Sequence, residues 1–323
     1  RREPFNALRI PASSALLGTA LLARGDSKAA DRAFRVAARL GWREPLTQLY
    51  WFQAALGQND LASAVLRFDA IARQHPDAPY VSAMATMLER TDAGRDAIAA
   101  RLATGANWAN GYAIIRSGTS IARIRNRIDV LSRVAARGGV LGCAVLLQPV
   151  RVFAEVEPLA GRELWRAHCP RAAGSALVSD GGFEKSVLAS PDEQVPYDWI
   201  VTGHGGLDVA PTSDQSGGQA ISVRSTASVT LPFLEQLVPA APGRYRLSWR
   251  VKESDPTRSA RMLASFSCSR DLLAAQPAPG MASGDRFSRT VELAANCQAA
   301  WLRLWLAPGA EGITIDDVRL DPI

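Results

Sequence analysis

Apolar residues recur at three- and four-residue spacing through the first half of the chain and alternate in short runs through the second. The period changes near Cys169-Pro170, which predicts helices before that point and strands after it. Within the helical half, residues 15–45 realign onto 49–79 with a shift of 34, matching Leu22 to Leu56, Ala30 to Ala64, Phe34 to Phe68 and Pro45 to Pro79. Gly25 before Asp26, and Gly57-Gln58 before Asn59 or Asp60, read as a helix-ending glycine followed by an N-cap, so each copy is a helical hairpin closed by a short turn. Helical spacing continues over 80–90, 93–103, 113–115 and 121–137 without a clean repeat. Residues 139–156 are expected to form a buried helix broken near Pro149.

Beyond residue 170, clusters of Gly, Ser, Thr and Pro separate alternating runs at 221–231, 244–253, 261–269, 287–293, 301–306 and 313–320, with ALVSD and DWIVTG before them. About eight strands with no helical pattern between them imply an antiparallel sandwich or jelly roll. The fold class is therefore multidomain, α then β: a helical repeat domain over 1–170 and a β-sandwich over 171–323. Alternation assigns faces: Tyr245, Leu247, Trp249 and Val251 share one side of their strand, while Arg246 and Arg250 share the other. In the last tryptophan-bearing strand, Leu302, Leu304 and Leu306 point inward and leave Trp301, Arg303 and Trp305 on the opposite face. A flat indole pair with an arginine suits stacking on sugar rings and donation to hydroxyls or carboxylates. Trp301, Arg303, Trp305, Arg246 and Arg250 are the candidate glycan-binding residues; the alternative is that the tryptophan face is covered by the helical half.

Composition adds charge asymmetry to this picture. The chain of 323 residues is 47% hydrophobic, and no uninterrupted apolar run is long enough to cross a bilayer. Residues 1–170 carry 23 basic and 14 acidic side chains, against 14 and 17 in 171–323. The arginines of 116–137 flank an apolar stripe of Ile121, Ile124, Ile128 and Leu131, forming a basic amphipathic helix. Its polar face is either simply solvated or directed to an anionic surface such as acidic polysaccharide or phospholipid, a membrane being met through Arg123, Arg127 and Arg133. Nucleic acid is not expected, because the helix lacks interleaved aromatics and no standard nucleic-acid-binding signature occurs. The chain opens on Arg1-Arg2, compatible with an export or anchor segment upstream.

The 34-residue shift, with Leu17-Gly18, Ala30, Phe34 and Ala37 in one copy and Ala64, Phe68 and Pro76 in the next, resembles the tetratricopeptide repeat. It departs from that motif at Trp51-Phe52, where Leu-Gly is expected. DGGFE (180–184), VPYDW (195–199), APGRYRLSWRV (241–251) and IDDVRL (315–320) resemble the jelly rolls of carbohydrate-binding modules of the four/nine type. The whole chain resembles alphaproteobacterial cell-envelope proteins in which a tetratricopeptide region precedes such a module. That resemblance implies a periplasmic or envelope location, a protein partner on the helices and a polysaccharide on the sandwich. It also implies a structural calcium near Glu184 and Asp316 or Asp317; the alternative is that these acids cap turns or pair with Arg319.

The four cysteines fall two per half, compatible with Cys143–Cys169 and Cys268–Cys297 disulfides in an oxidising compartment. No cysteine and histidine cluster suits zinc. His204, in GHGG, lacks a G-x-S-x-G nucleophile to serve and reads as part of a turn. Phosphate-cradling loops are missing, and acidic pairs such as Glu155/Glu157 or Asp316/Asp317 read equally well as solvated edges. The expectation is a non-catalytic envelope scaffold in exopolysaccharide synthesis or export; a protein-only scaffold and a polysaccharide-processing enzyme are the alternatives.

Overall fold

The computed structural model describes residues 11–41, 43–170, 176–185, 193–202, 205–213, 217–252, 255–309 and 312–323. The chain divides into two compact units, Arg1–Val145 and Leu146–Ile323. The first is built of helices α1 (Pro11–Ala23), α2 (Ser27–Leu40), α3 (Pro45–Gly57), α4 (Leu61–Ala72), α5 (Pro79–Glu89), α6 (Asp92–Ala103), α7 (Ala109–Ala113) and α8 (Ile121–Ala136). Pro11, Pro45 and Pro79 open α1, α3 and α5, where a missing N–H costs nothing, so the spacing of 34 residues extends one step past the realigned segment.

Hairpin packing follows the small residues. A Cβ on Gly18 would stand 2.7 Å from the Phe34 ring, so α1 lies close on α2, and Ala30, Ala37, Ala64 and Phe68 are all buried. Asp26 and Asp60 cap α2 and α4 by accepting from the backbone N–H groups of Ala29 and Ser63. The left-handed residues of these turns are Gly25 and Asn59, not Gly57, because asparagine also tolerates that conformation at a helix end.

The basic helix α8 departs from expectation. Arg127 is 6% exposed, 2.9 Å from Glu89, and stacks over Tyr112 at 3.8 Å. Tyr112 donates to the same carboxylate at 2.6 Å; its burial, more than the nearby charges, holds its hydroxyl well above the ordinary tyrosine range. Arg133 pairs with Asp92, Asp96 and Asp129, and Arg137 with Asp96. Acids from α5, α6 and α8 itself thus occupy Arg127 and Arg133, two of the three arginines that the sequence pattern directs to a membrane surface.

The division falls within the helix α9 (Cys143–Val156), and the second unit continues with α10 (Pro158–His168). Both pack with the strands that follow. Arg151 donates to the Gln194 carbonyl at 2.8 Å, Arg162 to that of Pro239 at 2.7 Å, and Tyr197 to that of Pro158 at 2.8 Å. These hydrogen bonds tie both helices to the strand region, and the division between the compact units falls between residues 145 and 146. Pro149 lies inside α9 without ending it, since Leu146, Val150 and Phe153 bury the same face.

The strands form an antiparallel sandwich of two sheets. One has the order β1 (Ile200–Val201), β4 (Leu231–Pro239), β9 (Ala299–Leu306), β6 (Met262–Ser267). The other runs β2 (Leu207–Ser213), β3 (Gln219–Ser225), β10 (Ile313–Pro322), β5 (Gly243–Val251), β8 (Arg286–Leu293), β7 (Met281–Ser283). Leu247, Trp249 and Val251 of β5 meet Leu302, Leu304 and Leu306 of β9 in one core with Phe233, so the inward faces are those the alternation assigned. The run 221–231 is two elements, β3 and the start of β4, and 176–180 is a turn. β4 escapes a period-two reading because it is buried along both faces after its first residue.

The turn at 180–183 docks on β10: Val318 donates to the Gly181 carbonyl at 2.8 Å. A Cβ on Gly181 would lie 1.9 Å from the Val318 carbonyl oxygen, a backbone atom that cannot swing aside. Gly181→Ala is expected to destabilise the chain by about 1–3 kcal/mol in urea unfolding. An unchanged midpoint would show that this contact is dispensable.

Candidate functional site

A cleft of about 840 Å³ opens beside the start of β9 in the Leu146–Ile323 unit. Arg151 and Glu155 of α9 line one side, and Trp301 of β9 with Arg270 lines another. Gln194, Asn296 and Gln298 supply carboxamides, each able to donate and accept. The Cys268–Cys297 disulfide, Cα–Cα 5.9 Å, joins the end of β6 to the loop before β9 and itself lines the cleft. None of the cysteines is free; Cys143 and Cys169 are also disulfide-bonded.

The geometry rests on a single carboxylate. Cross-strand register puts Glu235 of β4 and Ser265 of β6 on either side of Arg303. One Glu235 oxygen accepts from Arg303 Nε at 3.0 Å and the other from Arg270 at 3.0 Å. Arg270, so anchored, lies over the Trp301 ring at 4.6 Å. The carbonyls of Ser269 and Arg270 accept from Arg303 Nη1 and Nη2, which folds the chain after β6 back across this sheet face. Trp305 donates to Ser265 Oγ at 2.8 Å.

The predicted site residues are only partly brought together. Trp301, Arg303 and Trp305 do share the outward face of their sheet, yet they are 9%, 0% and 5% exposed. They form no open platform: the chain after β6 covers the arginine, and only Trp301 reaches the cleft. Arg246 and Arg250 lie on the outer face of the other sheet, across the core from the tryptophans, and so belong to no common site. Arg250 stands 3.2 Å from Asp285.

The implied calcium ligands are held separately. Asp316 is 2.8 Å from Lys252, Asp317 pairs with Arg286 and Arg319, and Glu184 accepts from the Gln219 backbone at 3.3 Å. Among the described residues, no group of three acidic, histidine or cysteine side chains could hold a metal ion. Burial pushes the Asp317 carboxyl up, but Arg286 and Arg319 outweigh it and hold the group below the usual aspartate range. His204 lies outside the described residues.

Sequence reasoning missed Arg151, Arg270, Gln194, Asn296 and Gln298. For Arg270, Asn296 and Gln298 the available signal was the cysteine pair: Arg270 follows Cys268 by two positions, and Asn296 and Gln298 flank Cys297.

The unit defines a class, an antiparallel β-sandwich with a polar cleft beside one sheet. No protein-family model matches the chain, and no curated protein matches it. Among solved structures it is similar to a CBM4 carbohydrate-binding module, at 16% identity and TM-score 0.33 over 45% of this chain and 99% of that one. A xylan-binding domain from Paenibacillus barcinonensis is similar at 18% identity and TM-score 0.30, over 47% and 96%. The enzymatically active domain of bacteriophage CBA120 tailspike protein 4 is similar at 13% identity and TM-score 0.33, over 46% of this chain and 21% of that domain.

Two predictions follow from the charges. Glu235→Gln leaves Arg303 buried without its counter-ion and is expected to cost about 3–5 kcal/mol in denaturant unfolding. For Asp317, whose folded pKa is lowered, the stabilisation is present above the ordinary aspartate range and is lost as pH falls through the folded value. Asp317→Asn should therefore flatten the acid limb of the melting-temperature profile, and an unaltered limb would contradict the assignment.

Proposed function

We propose that the Leu146–Ile323 unit binds a glycan in the Trp301 cleft, and that the glycan carries carboxylate groups. The observation that carries this reading is the lining itself: an indole edge, two arginines and three carboxamides converge beside a loop pinned by a disulfide. Carboxamides match vicinal hydroxyls, guanidinium groups match carboxylates in a bidentate way, and an indole gives an apolar seat for a sugar ring. Glu155 is the one carboxylate among the described lining residues, whereas glycoside hydrolysis by the usual route uses two. A binding role without catalysis is accordingly proposed.

The wider reading is an envelope protein in exopolysaccharide synthesis or export, with the 34-residue hairpins acting as a tetratricopeptide-like solenoid that docks a protein partner. Support comes from the recurrent proline-opened helices and from disulfides suited to an oxidising compartment. A structural calcium remains part of this proposal only if ion binding rearranges the Lys252 and Arg319 pairings of the acids. A second reading, a protein-only scaffold, is favoured by the burial of Trp305 and Arg303.

Affinity gels containing acidic or neutral polysaccharides separate the two. Glycan binding predicts retardation by the acidic polymer, reduced about tenfold or more in affinity by Arg270→Ala or Trp301→Ala. Absence of retardation in every gel would leave the scaffold reading.

A further inference from the structure

A second cavity lies in the Arg1–Val145 unit, and its chemistry is unlike that of the glycan cleft. It measures about 130 Å³ and is lined by Arg116, Arg123 and Arg127 together with Ser82, Thr119 and the loop at Ser117-Gly118. No acidic side chain is among the described lining residues. Arg127 is already compensated by Glu89 at 2.9 Å, but among the described residues no acid pairs with the other two arginines. Arg116 donates to the Asp77 carbonyl at 3.1 Å, and Arg123 to Ser82 Oγ at 3.4 Å; both acceptors are neutral. Arg123 Nε is buried and has no hydrogen-bond partner.

The backbone adds to this positive potential. Thr119 and Arg123, on either side of the N-cap Ser120 of α8, both line the cavity, so it sits beside the start of a 16-residue helix. Ser120 makes no side-chain capping hydrogen bond, and the first turn of α8 holds no acidic residue. A helix start carries partial positive charge and favours anions, yet here Arg123 stands within that turn. Uncapped N–H groups, an orphaned guanidinium nitrogen and two converging guanidinium groups with neutral acceptors, those of Arg116 and Arg123, are mutually repulsive without a counter-ion. A bound oxyanion relieves all three at once.

We infer that this cavity binds a phosphate group, seated between Arg116 and Arg123 at the start of α8. Its volume suits a single tetrahedral oxyanion, carried either as free phosphate or as the headgroup of an anionic lipid. The inference is independent of the glycan reading, since the two cavities share no residue.

Calorimetric titration of the full chain with inorganic phosphate, at constant ionic strength, tests it; co-sedimentation with vesicles containing phosphatidic acid forms the second arm. Binding in either arm, weakened about tenfold by Arg123→Gln and further by Arg116→Gln with Arg123→Gln, is the expected result. Tighter binding in the first arm assigns the site to soluble phosphate, and tighter binding in the second to a headgroup. Both substitutions are at positions outside the buried core, and far-UV circular dichroism with a thermal melt verifies that each variant is folded. Folded variants that bind as the parent does, or no binding in both arms, would overturn the inference. Trp301→Ala should leave phosphate binding unchanged.

Discussion

The β unit is organised around the carboxylate of Glu235. It is 6% exposed, bridges Arg303 and Arg270, and so fixes what lies above the four-stranded sheet. A buried guanidinium such as Arg303 is tolerable only with a counter-ion and full hydrogen bonding. Glu235 supplies the first, and the carbonyls of Ser269 and Arg270 the second. Satisfying Arg303 draws the chain after β6 over the sheet, and that same fold places Arg270 on the Trp301 ring at the cleft. Electrostatic satisfaction of one interior cation thereby shapes the cleft.

The helical unit uses a comparable device at another place. Glu89, Arg127 and Tyr112 form a buried cluster that ties α5, α7 and α8 together, while Trp108 donates to Asp69 at 2.8 Å across α4. These polar contacts lie among apolar neighbours and have directional requirements, so they specify which helices meet. The arginines in and beside α8 divide accordingly. Arg133 and Arg137 serve an ion-pair network with α6, and Arg116 and Arg123 line a cavity with no acid among its described lining residues.

Much of the fold was legible along the chain because its signals are local. Proline at helix starts, aspartate caps and an alanine and phenylalanine pattern at a constant shift describe hairpins whose partners are near in sequence. Period-two alternation likewise set the inward side of β5 and β9 correctly. It failed for β4, where both faces are covered and the alternation vanishes.

The site shows the same division more sharply. Sequence by itself determined that Trp301, Arg303 and Trp305 share a face, since that follows from the strand's own geometry. Whether that face meets water depends on segments far away in sequence: Glu235 is on β4, and Ser269 and Arg270 follow β6. Only the tertiary structure decided this, and with it the choice of cleft residues. Side-chain direction is a property of each strand, whereas exposure is a property of everything packed around it.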